Sequence, residues 1–323
     1  MKTNIKKQLE KQGHRFIGDH GSVKICRWTR KSLVDEGVCY KEKFYGIKSH
    51  LCCQMSPWLG CENKCLHCWR PIEIDFNKVK SREIKKPSDI INESINFQRK
   101  LLTGFKGNKK VNKEKYKEAQ EPMQFAISLI GEPTLYPKIG EFILELRKKR
   151  KTIFLVSNGL NPEVLKKLDK EDSLPTQLYI SLNAPNKEFF DKWHKSNVKD
   201  AWKKYNKSLD ILKDLKSKTR TVLRMTLVKD KNMKDIQVDG YVKLIKKTNP
   251  DFVEVKGFVS VGFSRQRLGY DMMPTHEEIK EFADKLVKEL KKVGLKDYKI
   301  LDEHEVSKIV LIGEGMKEMK IKD

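Results

Sequence analysis

No stretch of this 323-residue chain is long and apolar enough to span a membrane; the run from Phe125 to Ile130 stops at Gly131. The opening segment, Met1 to Glu10, is charged and lacks the apolar core of a secretory signal. These absences predict a cytoplasmic protein with no membrane partner. Acidic residues are in deficit, 44 Asp and Glu against 68 Lys and Arg, for a formal charge of +24. Such an imbalance predicts attraction to polyanions, RNA first among them. The dominance of lysine over arginine also fits a genome-wide or thermophile bias. Cysteines are few, seven in all, and odd in number. In a chain with no secretory signal, that argues against a disulfide framework and for metal ligation and free thiols.

Three of the seven stand together as Cys61-Glu-Asn-Lys-Cys65-Leu-His-Cys68, a C-x3-C-x2-C run. Three thiolates on one loop hold three irons of a [4Fe–4S] cubane and leave the fourth without a protein ligand. A cluster used only for electron transfer normally has four cysteines. The open position is built for a substrate or cofactor. A structural zinc site is the alternative, but zinc wants four closing ligands, usually as two pairs, and only one C-x2-C pair is present. His67, between two of the cysteines, is expected to pack over the cluster. Trp69 and Pro71 suggest a rigid, covered exit from the loop.

Residues 1–50 show no clear period and read as an irregular cap, an extension distinct from a main domain over 51–323. Leu51 to Met55 is expected to close a first strand, and Pro87 to Leu102 reads as a helix. Gly104 to Gln120, rich in lysine, glycine and asparagine, reads as an exposed insertion. Apolar runs at 123–130, 152–157, 178–182, 220–228 and 252–259 then alternate with helical patterns at 139–149, 162–168, 201–215, 241–247 and 277–293. A last strand is expected over 306–312. Such alternation implies parallel strands with crossover helices. About six units are too few for a closed eightfold barrel. The expected fold is therefore α/β, a partial (β/α)6 barrel open on one side, with its site at the C-terminal strand ends.

Candidate site residues fall at those ends. Ile130-Gly131-Glu132-Pro133 offers a glycine for close backbone approach and a carboxylate for an ammonium group. Ser157, Asn158, Ser181 and Asn183 end the next two strands, and Arg224 lies in the one after. Ser, Asn and Gly also dominate ordinary turns. A second cysteine set, Cys26, Cys39 and Cys52, is evenly spaced and leads into the cluster loop, which favours a second cluster over buried free thiols. Cys53 would point away from Cys52 on an extended strand. Lys41, two residues past Cys39, would share its face if that segment is extended.

The cysteine run and the Gly131-Glu132 element resemble those of radical S-adenosylmethionine (SAM) enzymes. With Cys26, Cys39 and Cys52, the run Gln54-Met-Ser-Pro57 and the exit Cys68-Trp-Arg-Pro71, the chain resembles the tRNA 4-demethylwyosine synthase family over nearly its whole length. The resemblance implies two [4Fe–4S] clusters, at Cys61/Cys65/Cys68 and at Cys26/Cys39/Cys52. It implies SAM held by the open iron of the first and by Gly131, Glu132, Ser157, Asn158, Ser181, Asn183 and Arg224. It implies a lyase that joins N1-methylguanosine, beside the anticodon of phenylalanine tRNA, to pyruvate. A 5′-deoxyadenosyl radical would abstract hydrogen from the N1-methyl group. Pyruvate would be held as a Schiff base on Lys41 or by the second cluster's open iron. Eukaryotic members carry an added flavodoxin-like domain; this chain looks archaeal and is expected to use an external electron donor. Lysines of 106–117, Arg265 and Arg267 are the candidate tRNA contacts. Two alternatives remain open: a glycyl-radical-activase-like radical SAM enzyme, and a nonenzymatic zinc protein that binds RNA.

Overall fold

The structure is a computed structural model and describes residues 3–72, 84–315 and 317–322. Its strands are β1 (Arg15–Ile17), β2 (Gly21–Lys24), β3 (Cys52–Ser56), β4 (Gln124–Ile127), β5 (Thr152–Ser157), β6 (Gln177–Ser181), β7 (Arg220–Leu227), β8 (Phe252–Gly257), β9 (Tyr298–His304) and β10 (Ile309–Glu314). Its helices are α1 (Thr3–Lys11), α2 (Arg27–Leu33), α3 (Tyr40–Tyr45), α4 (Pro87–Leu102), α5 (Lys113–Glu118), α6 (Ile139–Lys148), α7 (Pro162–Lys170), α8 (Lys187–His194), α9 (Ala201–Asp214), α10 (Val238–Thr248) and α11 (His276–Lys292).

All ten strands form one sheet, in the order β1-β2-β3-β4-β5-β6-β7-β8-β10-β9. The six from β3 to β8 are parallel, each to its neighbour. This is the expected radical SAM partial barrel. Its edges are extended by antiparallel strands, β2 and β1 on one side and β10 and β9 on the other. The added strands pair the outer backbone groups of β3 and β8 and leave β1, three residues long, and β9 as the sheet's edges.

Side chains alternate between two cores. Phe125, Ile153, Leu155, Leu178, Ile180, Leu223, Met225, Val253 and Val255 pack against the surrounding helices. Phe154, Tyr179, Val222 and Phe252 point to the other face, where α3 inserts Tyr40, Phe44 and Tyr45. The Tyr45 ring centroid lies 5.8 Å from that of Phe252 and 6.5 Å from that of Phe154. Burying each such aromatic is worth about 1.5–3 kcal/mol. The two tyrosine hydroxyls donate to Glu254, at 3.1 and 2.8 Å, and so satisfy a carboxylate that is 0% exposed.

Several expectations are corrected. The described residues of the 1–50 segment, 3–50, are not an irregular cap: they form three short helices and two strands. Strands of three or four residues and helices of six to nine carry too little periodicity to read. The 104–120 segment is mostly exposed, as expected, but it is anchored: Ala119 is buried against Ile25, Leu33 and Leu102, and Lys115 pairs with Asp35 at 2.5 Å. The expected strand over 123–130 stops at Ile127, which frees 128–132 to form a loop. The expected last strand is half of a hairpin, with a turn at Glu305–Ser307.

Candidate active site

At the C-terminal ends of the parallel strands lies a cavity of about 310 Å³. Cys61, Cys65 and Cys68 form one wall. Their loop is docked on α8, an element the sequence reading passed over. Lys64 N donates to His194 O at 2.8 Å and Leu66 N to Trp193 O at 3.3 Å. The loop thus uses carbonyls that the last turn of a helix leaves unpaired. From the other side, Arg267 Nε donates to Leu66 O at 3.1 Å, and its Nη2 donates to Cys68 O and Arg70 O. Arg267 therefore braces the loop through its backbone carbonyls. Gly131, at φ +79°, lies under the loop; a Cβ there would come within 2.1 Å of Trp58 O. Its glycine serves backbone packing against residues 58–60.

The cysteine electrostatics fit a cationic cluster. Burial pushes the Cys61 thiol up to about 12, against the pull of Arg70. Cys65 is pushed up by burial and then by Cys68 and Cys61. Burial opposes the charge on Arg70, and the three thiols, Cys61 first, more than restore it. His194 Nδ1 lies 3.0 Å from Cys65 Sγ. Among the described residues, no three His, Cys, Asp or Glu side chains converge as ligands of a single metal ion do. A cubane needs a wider grip, because each thiolate takes a different iron. His67 stacks on Trp193 at 5.6 Å and lies 3.4 Å from Asn183 Nδ2.

All seven residues expected at SAM line this cavity: Gly131, Glu132, Ser157, Asn158, Ser181, Asn183 and Arg224. Glu132, 1% exposed, accepts from Thr134 N and Oγ1, Ser157 Oγ and Asn158 N at 2.6–3.1 Å. Burial, and then the nearby Glu62, push its carboxyl up to about 7. Asn183 Oδ1 accepts from Thr226 N at 2.8 Å and ties β6 to β7. Arg224 pairs with Glu254 at 3.6 Å and lies over the Tyr40 ring.

Lys41 is 6% exposed, with Nζ 4.1 Å from the Phe154 ring centroid and 4.8 Å from that of Tyr179. Its segment is not extended. Cys39 is the N-cap of α3, and its Sγ accepts from Lys41 N at 3.5 Å, so the two share a helix start. Burial lowers the Lys41 pKa, Glu254 raises it and Arg224 lowers it again; Cys39 and Cys52 act weakly upward. Burial also pushes Cys39 up to about 12, helped by Cys26. Cys52 rises by burial and then by Cys26. The second cysteine set is thus one electrostatic group around Lys41. Three half-buried thiols close enough to repel one another fit a cationic cluster, as in the loop. Cys53 points into the helix-side core.

The family model described as Radical SAM superfamily matches residues 55–239, and the one described as Wyosine base formation matches 247–314. An S-adenosyl-L-methionine-dependent tRNA 4-demethylwyosine synthase from Pyrococcus abyssi is 45% identical over 97% of this chain and 89% of its own length. The chain belongs to the tRNA 4-demethylwyosine synthase family. A solved structure of TYW1 with a lysine–pyruvate adduct bound is 34% identical, with a TM-score of 0.84 over 99% of this chain and 98% of that one. A crystal structure of archaeal TYW1 is 31% identical, with a TM-score of 0.78 over 99% of this chain and 100% of that one. These relatives support the tRNA-modifying reading and not the activase or zinc alternatives.

As a radical SAM enzyme of the 4-demethylwyosine synthase family, the chain uses SAM and a [4Fe–4S] cluster. Arg70, inside the Cys68–Pro71 exit, was not singled out for a role, and two further residues of the site, His194 and Lys256, carried no readable signal. Arg70, His194 and Lys256 all line the cavity. Lys256 is pushed down to about 8 by burial and then by Arg224. Lysines 106–117 line no part of it; their segment docks beside the Ser49–Leu51 turn, where β3 begins, through Glu118 to His50 at 2.6 Å. Among the described residues, no helix is long and apolar enough to cross a membrane.

Proposed function

We propose that this chain condenses N1-methylguanosine, beside the anticodon of phenylalanine tRNA, with pyruvate to give 4-demethylwyosine. It does so with two [4Fe–4S] clusters, SAM and an external one-electron donor. The observation that carries the reading is the position of Lys41. Its amine is buried over the Phe154 and Tyr179 rings, where Glu254, Arg224, Cys39 and Cys52 act on its charge; Arg224 lines the cavity, and Lys41 itself is not a lining residue. A relative with 34% identity holds a lysine–pyruvate adduct.

Cys61, Cys65 and Cys68 would hold the first cluster, and Cys26, Cys39 and Cys52 the second. When bound, the first cluster and SAM supply one-electron cleavage and hydrogen-atom abstraction from the N1-methyl group. Glu132 accepts the SAM ammonium, flanked by Gly131, Ser157, Asn158, Ser181 and Asn183. The neutral Lys41 amine adds to the pyruvate keto carbon and expels its oxygen as water. Burial and Arg224 favour that neutral form. The target base must leave its stack to enter the cavity.

The test is anaerobic turnover. Protein reconstituted with iron and sulfide is mixed with SAM, pyruvate, dithionite and phenylalanine tRNA bearing N1-methylguanosine. Mass spectrometry of the digested tRNA should show the tricyclic base, dependent on pyruvate. Cleavage of SAM with no change in the tRNA would sink the reading.

A further inference from the structure

Beside the cavity runs a groove of about 600 Å³, lined by Lys24, Arg27, Arg30 and Arg265, with Cys26 of the second cysteine set in its wall and no carboxylate. Some cations elsewhere on this surface are paired, as Lys115 is with Asp35 and Lys229 with Glu278, but what sets the groove apart is that four cations share one lining with no carboxylate. None of these four makes an ion pair among the described residues. Arg27, Arg30 and Arg265 are exposed, and Lys24 is half-buried. Four like charges with only the Cys26 thiol as a possible counter-charge repel one another, and an anion in the groove relieves that cost.

Groove and cavity share two walls, Trp69 and Val261. Trp69 is a fixed partition. Its carbonyl accepts from Phe263 N at 3.0 Å, and a Cβ on Gly262 would come within 2.6 Å of that oxygen. Lys24 Nζ lies 5.2 Å from the indole centroid on the groove side. A strand crossing this partition meets cations on one side and the site of chemistry on the other. Aromatic faces interleaved with cations are how proteins hold single-stranded nucleic acid.

We propose that this groove seats phosphodiester groups of the tRNA strand that flank the base entering the cavity, with Trp69 as the divide between backbone and base. The proposal rests on the tRNA reading above. It assigns Lys24, Arg27, Arg30 and Arg265 to the phosphates, in place of the lysines of 106–117 and Arg267.

The experiment measures tRNA affinity against salt for the reconstituted protein, for an Arg30→Gln/Arg265→Gln variant and for a Lys288→Gln/Lys291→Gln control on α11. Losing two phosphate contacts should lower the slope of log affinity against log salt by about 1.4, roughly 0.7 per contact to a single strand. The control should leave the slope unchanged. Cleavage of SAM without tRNA checks that the groove variant is folded. As a second arm, neutral methylphosphonate links flanking the target nucleotide should weaken wild-type binding and cost the groove variant nothing further. An unchanged slope in the groove variant overturns the proposal, as does an unchanged slope with a raised pyruvate KM, which would make the groove a small-acid site. Wild-type indifference to methylphosphonate also overturns it. Failure of the wild type to bind tRNA at all would instead overturn the tRNA reading on which it rests.

Discussion

His194 Nδ1 sits 3.0 Å from Cys65 Sγ, at the end of the helix that also holds the cluster loop by its carbonyls. Burial, and then His67, keep His194 neutral by pushing its pKa down to about 3. A neutral imidazole with its proton on Nδ1 donates to the sulfur, and such bonds raise a cluster's reduction potential. His194→Phe should lower the potential of the SAM-binding cluster by about 40 mV, the equivalent of roughly 1 kcal/mol for one electron. An EPR-monitored titration reads this directly. An unchanged potential with full iron content would show that the contact does not tune the cluster.

Iron content tests the two-cluster reading. Anaerobic reconstitution should give about eight irons per chain, two cubanes of four. Cys26→Ala should leave about four and keep SAM cleavage. Cys65→Ala should abolish cleavage. If Cys26→Ala retains all its iron, the second cluster does not exist.

Glu132 predicts a pH dependence. Its carboxyl is pushed up to about 7 by burial, so the carboxylate forms only as pH rises through neutrality. The SAM ammonium pairs with the ionised form. SAM affinity should therefore rise about tenfold from pH 6 to pH 8, following the ionised fraction of a group with a pKa near 7. In Glu132→Gln that rise should vanish. Equal affinity of the wild type at both pH values would remove Glu132 from the SAM site.

Gly131 is a packing position. A side chain there meets a positive φ, which costs about 1–3 kcal/mol, and a Cβ only 2.1 Å from Trp58 O. Gly131→Ala should displace the cluster loop, leaving about four irons at the other cysteine set and no SAM cleavage. Retention of both activity and full iron content would mean that the loop tolerates the shift.

Chemistry at strand ends was legible because it depends on short motifs. The cysteine spacing and the Gly131-Glu132, Ser157-Asn158 and Ser181/Asn183 elements all reach one cavity. Regular elements with clear punctuation were also legible. Pro87 opens α4, and the β-branched run Thr152–Ser157 is β5. Contacts made across long separations were not. Glu254 is held by Tyr40 and Tyr45, more than 200 residues away, and nothing near Glu254 announces it as buried. The two turns of α8 are too short for a period, yet they hold the cluster loop. Arg267 shows how a sequence gives charge without direction: its guanidinium turns inward to backbone carbonyls.

Lys41 decides the account most directly. The reconstituted protein is incubated with pyruvate, reduced with borohydride, digested and mapped by mass spectrometry. The account predicts a reduced pyruvate adduct on Lys41 and none on the Lys41→Arg variant, which keeps the charge but cannot form an imine. That variant should still cleave SAM and make no tricyclic base. Full product formation by Lys41→Arg, with no adduct on the wild type, would contradict the account and leave pyruvate to the open iron of the Cys26/Cys39/Cys52 cluster.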